Sequence, residues 1–477
     1  MIAQSIAQST RARIRPHDPR NGDDYPVSVS ARLGRLQFHA SGKFRVLQLA
    51  DLQDGPAVAK DTVRLIEAAL DASRPDLVVF SGDQIAGYDP AFAKTFRKRR
   101  WDTTWDGVAA AGRTVGAMVG NALQSITAAP GLPQVDESAA RRRDLEHTRD
   151  LVRQSIAAFV KPMVDRGIPF AVTYGIHDFQ CGLDNAQLDA IYREFPGCLN
   201  PESTAADPSV PRRQPGSGLP DQPIHACEPG TFALPVRGMD GDRAVLGLAL
   251  VDSGDYAREG GYGTPSEAAL RFLRRVPALI GARTLVFQHT PLPQFYNLLK
   301  PVPATTARAI QGYRTFDQQC YVLDESKTLP GSYLGEGVSC PDRDCGEFDV
   351  LKSGDYIGLF AGQDHRNGFV GAVDGLLLGV TPTCGFHAYG PAPARRAVRL
   401  IEFDIRHPYE PRTQLLEFGA LVGKPSANKA YTFALSHMPT SAGDAVNLLR
   451  RPGLLATAAA TVAGVAAAVG ALRPRRR

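Results

Sequence analysis

Six acids and imidazoles stand at the ends of apolar runs: Asp51 after FRVLQLA, Asp83 after DLVVFSG, His177 in IPFAVTYGIHD, Asp252 after RAVLGLALV, His289 in ARTLVFQHTPLP and His365 in DYIGLFAGQDH. Hard cations need several oxygen and imidazole ligands converging from separate segments, and strand ends on a common sheet edge supply that convergence. One strand-end Asp is often only a helix cap, and one His is usually a satisfied core or surface residue. Asp51, Asp83, His289 and His365 together, each in its own block, read as the ligands of a metal site.

The elements that must position them alternate in type. FRVLQLAD predicts a buried strand, Val58 to Ser73 has apolar residues at helical spacing (Val63, Leu65, Ile66, Ala69, Leu70), Pro75 stops that helix, and DLVVFSGD predicts a second strand. This is a β-α-β unit with an acid at each strand end, and ligand sites in open α/β sheets lie outside those ends. Residues 88–145 break the pattern with the basic run FRKRRW and both tryptophans, Trp101 and Trp105. A helix over about 140–166 and the strand running to His177 follow, then a Pro/Ser/Gly-rich loop at 198–225 and two more strands. A long loop at 297–350, the strand ending at His365, a hairpin in GFVGAVDGLLLGVTPT and a final strand in RRAVRLIEFDIR complete the expected α/β domain, residues 36–406.

With these residues in place the chain resembles the calcineurin-like metallophosphoesterases, in particular the plant, fungal and bacterial group similar to purple acid phosphatases. The family's blocks run Asp-x-His, Gly-Asp, Gly-Asn-His-Asp, a lone His after a strand, and Gly-His-x-His. Here they stand as Asp51-Leu52-Gln53, Gly82-Asp83, Gly175-Ile176-His177-Asp178, His289 and Gly362-Gln363-Asp364-His365, with RPDLVVFSGD, QHTPLP and GFHAYG as matching flanks. The resemblance implies a β-sandwich with flanking helices. It implies a first metal position of Asp51, Gln53, Asp83 and His365, and a second that keeps only Asp83 and His289, because Ile176 and Gln363 replace ligands. It also implies His177, with Asp178, as the catalytic pair beside the phosphate. His387 is a candidate on the substrate side or, like His225, a replacement imidazole.

The expected cofactor is therefore a divalent or trivalent metal, Mn, Zn or Fe, one ion if any, since an amide is a poorer ligand than imidazole and Ile is none. The expected function is hydrolysis of a phosphate monoester by metal-activated water, weakened by the depleted second position. The alternative is an inactive pseudophosphatase that binds a phosphate ester or phosphoprotein at a membrane. A tethering protein using the basic run near Arg97 to Trp101 is a third reading.

The 477 residues carry 54 basic and 49 acidic side chains, an excess too small to argue for nucleic acid, and no nucleic-acid-binding motif accompanies it. The seven cysteines are too few and unevenly numbered for a disulfide framework. Residues 1–35 read as a disordered tail and 407–453 as a linker. Residues 454–472, LLATAAATVAGVAAAVGAL, are uncharged with arginines on both sides. Nineteen residues at about 1.5 Å each reach about 28 Å, so a single-pass tail anchor is expected, with the domain cytosolic.

Overall fold

The run LVVFS, Leu77–Ser81, is buried at every position, as a strand packed on both faces requires. Thr284–Gln288 and Tyr356–Ala361 are buried throughout as well. In the computed structural model, which describes residues 28–100, 137–202, 207–426, 429–439 and 445, these strands belong to two sheets packed face to face.

The strands, in chain order, are β1 (Lys43–Leu49), β2 (Leu77–Ser81), β3 (Phe170–Thr173), β4 (His225–Glu228), β5 (Thr231–Arg237), β6 (Ala244–Val251), β7 (Thr284–Gln288), β8 (Leu299–Val302), β9 (Ile310–Gln311), β10 (Cys320–Leu323), β11 (Tyr356–Ala361), β12 (Val370–Val373), β13 (Leu376–Val380), β14 (Ala397–Asp404) and β15 (His407–Glu417). One sheet runs β15-β14-β1-β2-β3 and the other β12-β13-β11-β7-β6-β5-β4. Strands β1, β2 and β3 are mutually parallel, as are β6, β7, β11 and β13.

Period-2 alternation divides the apolar side chains between layers. Phe44, Val46, Leu77 and Val79 face Leu248, Leu285, Phe287 and Phe360 between the sheets. On the outer face, Leu47, Leu49, Val78 and Phe80 pack with Leu65, Ile66 and Leu70 of helix α2 and with Ile156, Phe159 and Val160 of α3. Here α1 is Val29–Leu33, α2 is Lys60–Ser73, α3 is Glu137–Val164 and α4 is Asn185–Tyr192. Helix α2 stops where Arg74 takes a left-handed conformation before Pro75. Against the other sheet, Val286, Leu359 and Leu378 pack with Phe272, Val276 and Leu351, from α5 (Glu267–Leu273), α6 (Val276–Ile280) and α7 (Glu347–Ser353). A polar clamp joins the sheets through this core: buried Gln48 donates to Ser81 Oγ at 2.9 Å and to the Ala361 carbonyl at 3.3 Å, and accepts from Thr381 Oγ1 at 2.7 Å.

Several expectations change. Residues 28–35 of the expected tail are folded onto the domain: Ser28 caps α1 by accepting from the Ala31 amide, and the hydroxyls of Ser28 and Ser30 bond to Asp76. Residues 407–417 are not linker but the edge strand β15, paired with β14 from Ala397↔Glu417 to Asp404↔His407; an edge strand exposed on one side carries polar residues that disguise it. Helices α8 (Phe418–Leu421) and α9 (Lys429–Ser436) follow, and α9 docks through Ser436 Oγ on the Pro391 carbonyl. The 297–350 region contains the small sheet β8-β10-β9. Residues 101–136, with Trp101 and Trp105, and the expected anchor at 454–472 lie outside the described residues. Among the described residues no helix is long and apolar enough to cross a membrane.

Candidate metal centre

Both parallel groups of strands end at one edge, and each candidate follows a strand there. Asp51 comes two residues after β1, Asp83 two after β2, His177 four after β3, His289 one after β7 and His365 four after β11. To turn their side chains inward, Asp51, Gln53, Asp83 and Gln363 adopt left-handed backbones, with φ of 53, 42, 54 and 68°. Such residues cost of order 1–3 kcal/mol each and persist only where the surroundings over-determine them. Glycines create that crowding. A Cβ on Gly82 would lie 2.5 Å from His289 Nδ1, one on Gly362 would lie 2.9 Å from Asp51 Oδ2, and one on Gly175 would collide with Asp83 Oδ1.

Asp83 is the hub. Its Oδ2 lies 3.2 Å from His289 Nε2, 3.0 Å from Gln53 Nε2 and 3.9 Å from His177 Nε2, while its Oδ1 accepts from the His177 backbone amide at 2.7 Å. Asp51 stands opposite: Oδ1 is 3.3 Å from His365 Nε2 and 4.0 Å from His289 Nδ1, and Oδ2 accepts from the Gln363 amide. Burial works against charge on His289, but Asp83 and Asp51 outweigh it and push the imidazole up to about 10. Burial likewise opposes the Asp83 carboxylate, and His289 and His177 hold it well below the usual range. His365 is raised, against burial, by Asp51.

These residues fit a cation on three counts. Asp51, Asp83 and His289 bring one ligand atom each within 4.8 Å of one another. Asp51 Oδ1 and His289 Nε2 are buried with no well-aligned hydrogen bond, only the ion-pair contacts to His365 and Asp83. Nδ1 of His289 faces the Ser81 carbonyl at 3.3 Å and Nδ1 of His365 faces the Tyr389 carbonyl at 2.7 Å, so each ring keeps its Nδ1 proton and turns Nε2 inward, as metal-ligating imidazoles do. The His365 ring is also stacked on Tyr389 at 4.0 Å.

The substituted positions behave differently. Gln53 presents its amide nitrogen, 3.0 Å from Asp83 and 3.3 Å from His365, while its oxygen accepts from the Tyr88 hydroxyl at 3.2 Å. In this orientation it offers the centre a donor, not the ligand oxygen expected of it. Ile176 is buried and apolar, and Gln363 Oε1 is buried without a partner.

Asp178, expected beside His177 as a catalytic group, is committed to the backbone. Its oxygens accept four backbone amides, from Asp83 and Gly175 on Oδ2 and from Gln84 and Ile85 on Oδ1, all at 2.8–2.9 Å. It pins the Asp83 loop to the Gly175 loop and has no capacity left for a substrate. His177 is the most solvent-accessible imidazole of the cluster, 22 % exposed, with Nδ1 bonded to Gln180 Oε1 at 2.8 Å. His387 sits at the rim, half-buried, its Nδ1 2.7 Å from Asp54 Oδ1, and that bond raises its pKa. His225 bonds the Pro208 carbonyl, at the start of β4. Asp252 is bound by Arg100 instead of joining the centre. Sequence reasoning passed over Asp54 and Gln180, and set Tyr88 aside as too far from Asp83 by count to be a ligand; only the nearness of Asp54 to Asp51 signalled either of the first two.

No family model matches the chain. Curated relatives do. The chain is 23% identical over 399 residues to "Probable inactive purple acid phosphatase 29" of Arabidopsis thaliana, covering 80% of this chain and 82% of that one. It is 21% identical over 410 residues to "Probable inactive purple acid phosphatase 14" of the same plant, covering 78% of each. Like the blocks around Asp51, Asp83, His177, His289 and His365, these relatives place the chain's similarity with the purple-acid-phosphatase-like group of calcineurin-like metallophosphoesterases.

Proposed function

We propose that this chain is a pseudophosphatase: it binds a phosphate ester or phosphoprotein at the Asp51, Asp83, His289 and His365 edge and turns it over slowly or not at all. The observation that carries the reading is the Gln53 amide, whose nitrogen lies between Asp83 and His365 where the related enzymes' block has an imidazole. Ile176 removes a second donor. A cation held by Asp51, Asp83, His289 and His365 would supply Lewis-acid stabilisation of phosphoryl charge and lower the pKa of bound water. The chain's own residues do the rest. His177, fixed by Gln180, offers Nε2 to a phosphoryl oxygen and donates a proton from it when the ring is charged. Losing one ligand's worth of stabilisation matters, because each 1.4 kcal/mol or so is tenfold in rate.

The test is the metal content of the purified protein together with hydrolysis of para-nitrophenyl phosphate in added Mn, Zn or Fe. Sub-stoichiometric metal, at most slow metal-dependent turnover and measurable binding of inorganic phosphate are expected. Turnover at an ordinary enzymatic rate, about 1–10³ s⁻¹, that Asp83→Asn abolishes would overturn the reading in favour of a one-ion phosphomonoesterase, which the convergence of Asp51, Asp83 and His289 favours. We further propose that residues 454–472 anchor the chain in a membrane with the domain on the cytosolic side, from the uncharged run and its flanking arginines; a deletion of 454–477 that stays membrane-bound on fractionation removes that idea.

A further inference from the structure

The loop at 385–391 has two holds on His365. Its Tyr389 carbonyl accepts from Nδ1 at 2.7 Å, and the Tyr389 ring stacks on the imidazole at 4.0 Å with 11° between the planes. Together they aim Nε2 at Asp51 Oδ1, 3.3 Å away, as outer partners orient ligating imidazoles. Residues 385–391 form neither helix nor strand, so their position depends on what grips them. One grip comes from Arg396, itself buried, which donates to the carbonyls of Gly385 and Ala388, the latter at 2.8 Å.

A second grip comes from the C-terminal arm, residues 429–439. Ser436 Oγ of α9 donates to the Pro391 carbonyl at 3.3 Å, and the Tyr431 ring meets His387 edge to face at 6.2 Å. Beyond the helix, the Met438 carbonyl accepts from Nη2 of Arg366 at 2.7 Å. Arg366 carries this contact to the centre. It follows His365 directly and its side chain is buried; Nε donates to the Gly390 carbonyl at 3.2 Å, and the guanidinium carbon lies 5.0 Å from the centre of the Tyr389 ring. Because the N–H groups of a guanidinium form a rigid planar fork, the Gly390 and Met438 carbonyls together fix that plane against the ring. Three contacts thus lead from the arm to a ligand: Met438 to Arg366, Arg366 to Tyr389, and Tyr389 to His365.

We propose that the C-terminal arm is a positioning element for His365, acting through Arg366 and Tyr389, so that the centre takes up a cation with full affinity only while the arm is docked; the second half of this rests on the metal-binding reading above. The test titrates Mn²⁺, and separately inorganic phosphate, into the full chain by calorimetry and follows backbone hydrogen exchange over residues 383–390. Thr432→Asp with Ser436→Asp puts two carboxylates on the buried face of α9 and undocks the arm, whereas Phe433→Ser, on the exposed face, is the control. Arg366→Lys keeps the charge but cannot reach the carbonyls of Gly390 and Met438 at once. The arm variant and Arg366→Lys are expected to bind Mn²⁺ about tenfold more weakly or worse, the usual effect of losing an outer partner. Both should exchange faster over 383–390 while Leu77–Ser81 keeps its protection, and Phe433→Ser should match the wild type. If one of the two fails to fold, the other decides. Wild-type Mn²⁺ affinity in the arm variant overturns the proposal, and so does weaker binding with exchange over 383–390 unchanged. A full chain that takes up neither Mn²⁺ nor phosphate overturns the metal reading instead, and exchange alone then decides whether the arm positions the loop.

Discussion

Nε2 of Gln53 lies 3.0 Å from Oδ2 of Asp83, and the same nitrogen lies 3.3 Å from Nε2 of His365. An amide thus bridges a carboxylate and an imidazole that would otherwise face each other across an ion. The backbone around it retains its left-handed turns at Asp51, Gln53, Asp83 and Gln363, so what is missing is side chains rather than a frame. The combined variant Gln53→His, Ile176→Asn and Gln363→His is expected to bind close to two equivalents of metal and to raise kcat/KM on para-nitrophenyl phosphate at least tenfold, about 1.4 kcal/mol. Metal analysis and steady-state kinetics check it. Unchanged metal content would show that the frame itself no longer accommodates ions.

Asp178→Asn is expected to act on stability before chemistry. An asparagine keeps one acceptor oxygen and turns an NH2 toward two of the four amides that Asp178 now receives. Each buried amide left unpaired costs about 1–3 kcal/mol. Denaturant titration should show a lower midpoint with little change in slope. A variant of wild-type stability with lost turnover would instead return Asp178 to the catalytic group.

Gly175→Ala places a methyl against Asp83 Oδ1. The loop must shift or the carboxylate must leave its position, and overpacking of this kind costs typically 1–3 kcal/mol. The expected result is a lower melting temperature together with weaker metal binding. Gly281→Ala, where a Cβ meets nothing within 4 Å but φ is +77°, serves as a control that loses stability and spares the metal.

Glu347 provides the pH dependence. Its side chain is fully buried, with only a 3.5 Å bond from Gln288 to Oε2 and no partner on Oε1, and burial pushes its pKa from 4.5 to about 8. A carboxyl whose folded pKa is raised adds stability that is fully present below pH 4.5 and is lost as the pH climbs through 8. Glu347→Gln, neutral at every pH, should therefore change little at pH 5 and stabilise by a few kcal/mol at pH 9. Thermal melts of both proteins across that range check the slope. Parallel curves would mean that Glu347 is not protonated in the fold.

The centre was legible in the sequence because chemistry and topology coincide there: Asp51, Asp83, His289 and His365 each end an apolar run, and the runs proved to be parallel strands that finish at one edge. The partners of Asp178 stayed hidden because they are backbone amides, which no side-chain pattern records. Strand β15 escaped because HPYEPRTQLLE, half-exposed at a sheet edge, alternates too weakly to declare itself. The clamp at Gln48 was hidden for the opposite reason: a single polar residue inside an apolar strand gives no hint that three partners from elsewhere in the chain meet it. The Gln53 substitution was visible, but not that its amide would turn a nitrogen inward, which depends on Tyr88.

The glycines that crowd the centre also govern how this protein can vary over generations. With Gly82 against His289, Gly175 against Asp83 and Gly362 against Asp51, no residue can be inserted into or deleted from these turns without unseating a neighbour. Divergence is channelled into exchanges of side chain at constant spacing. A side chain exchanged at one of these positions therefore leaves the position countable, and drift can alter the chemistry of the edge long before it alters the spacing that locates it.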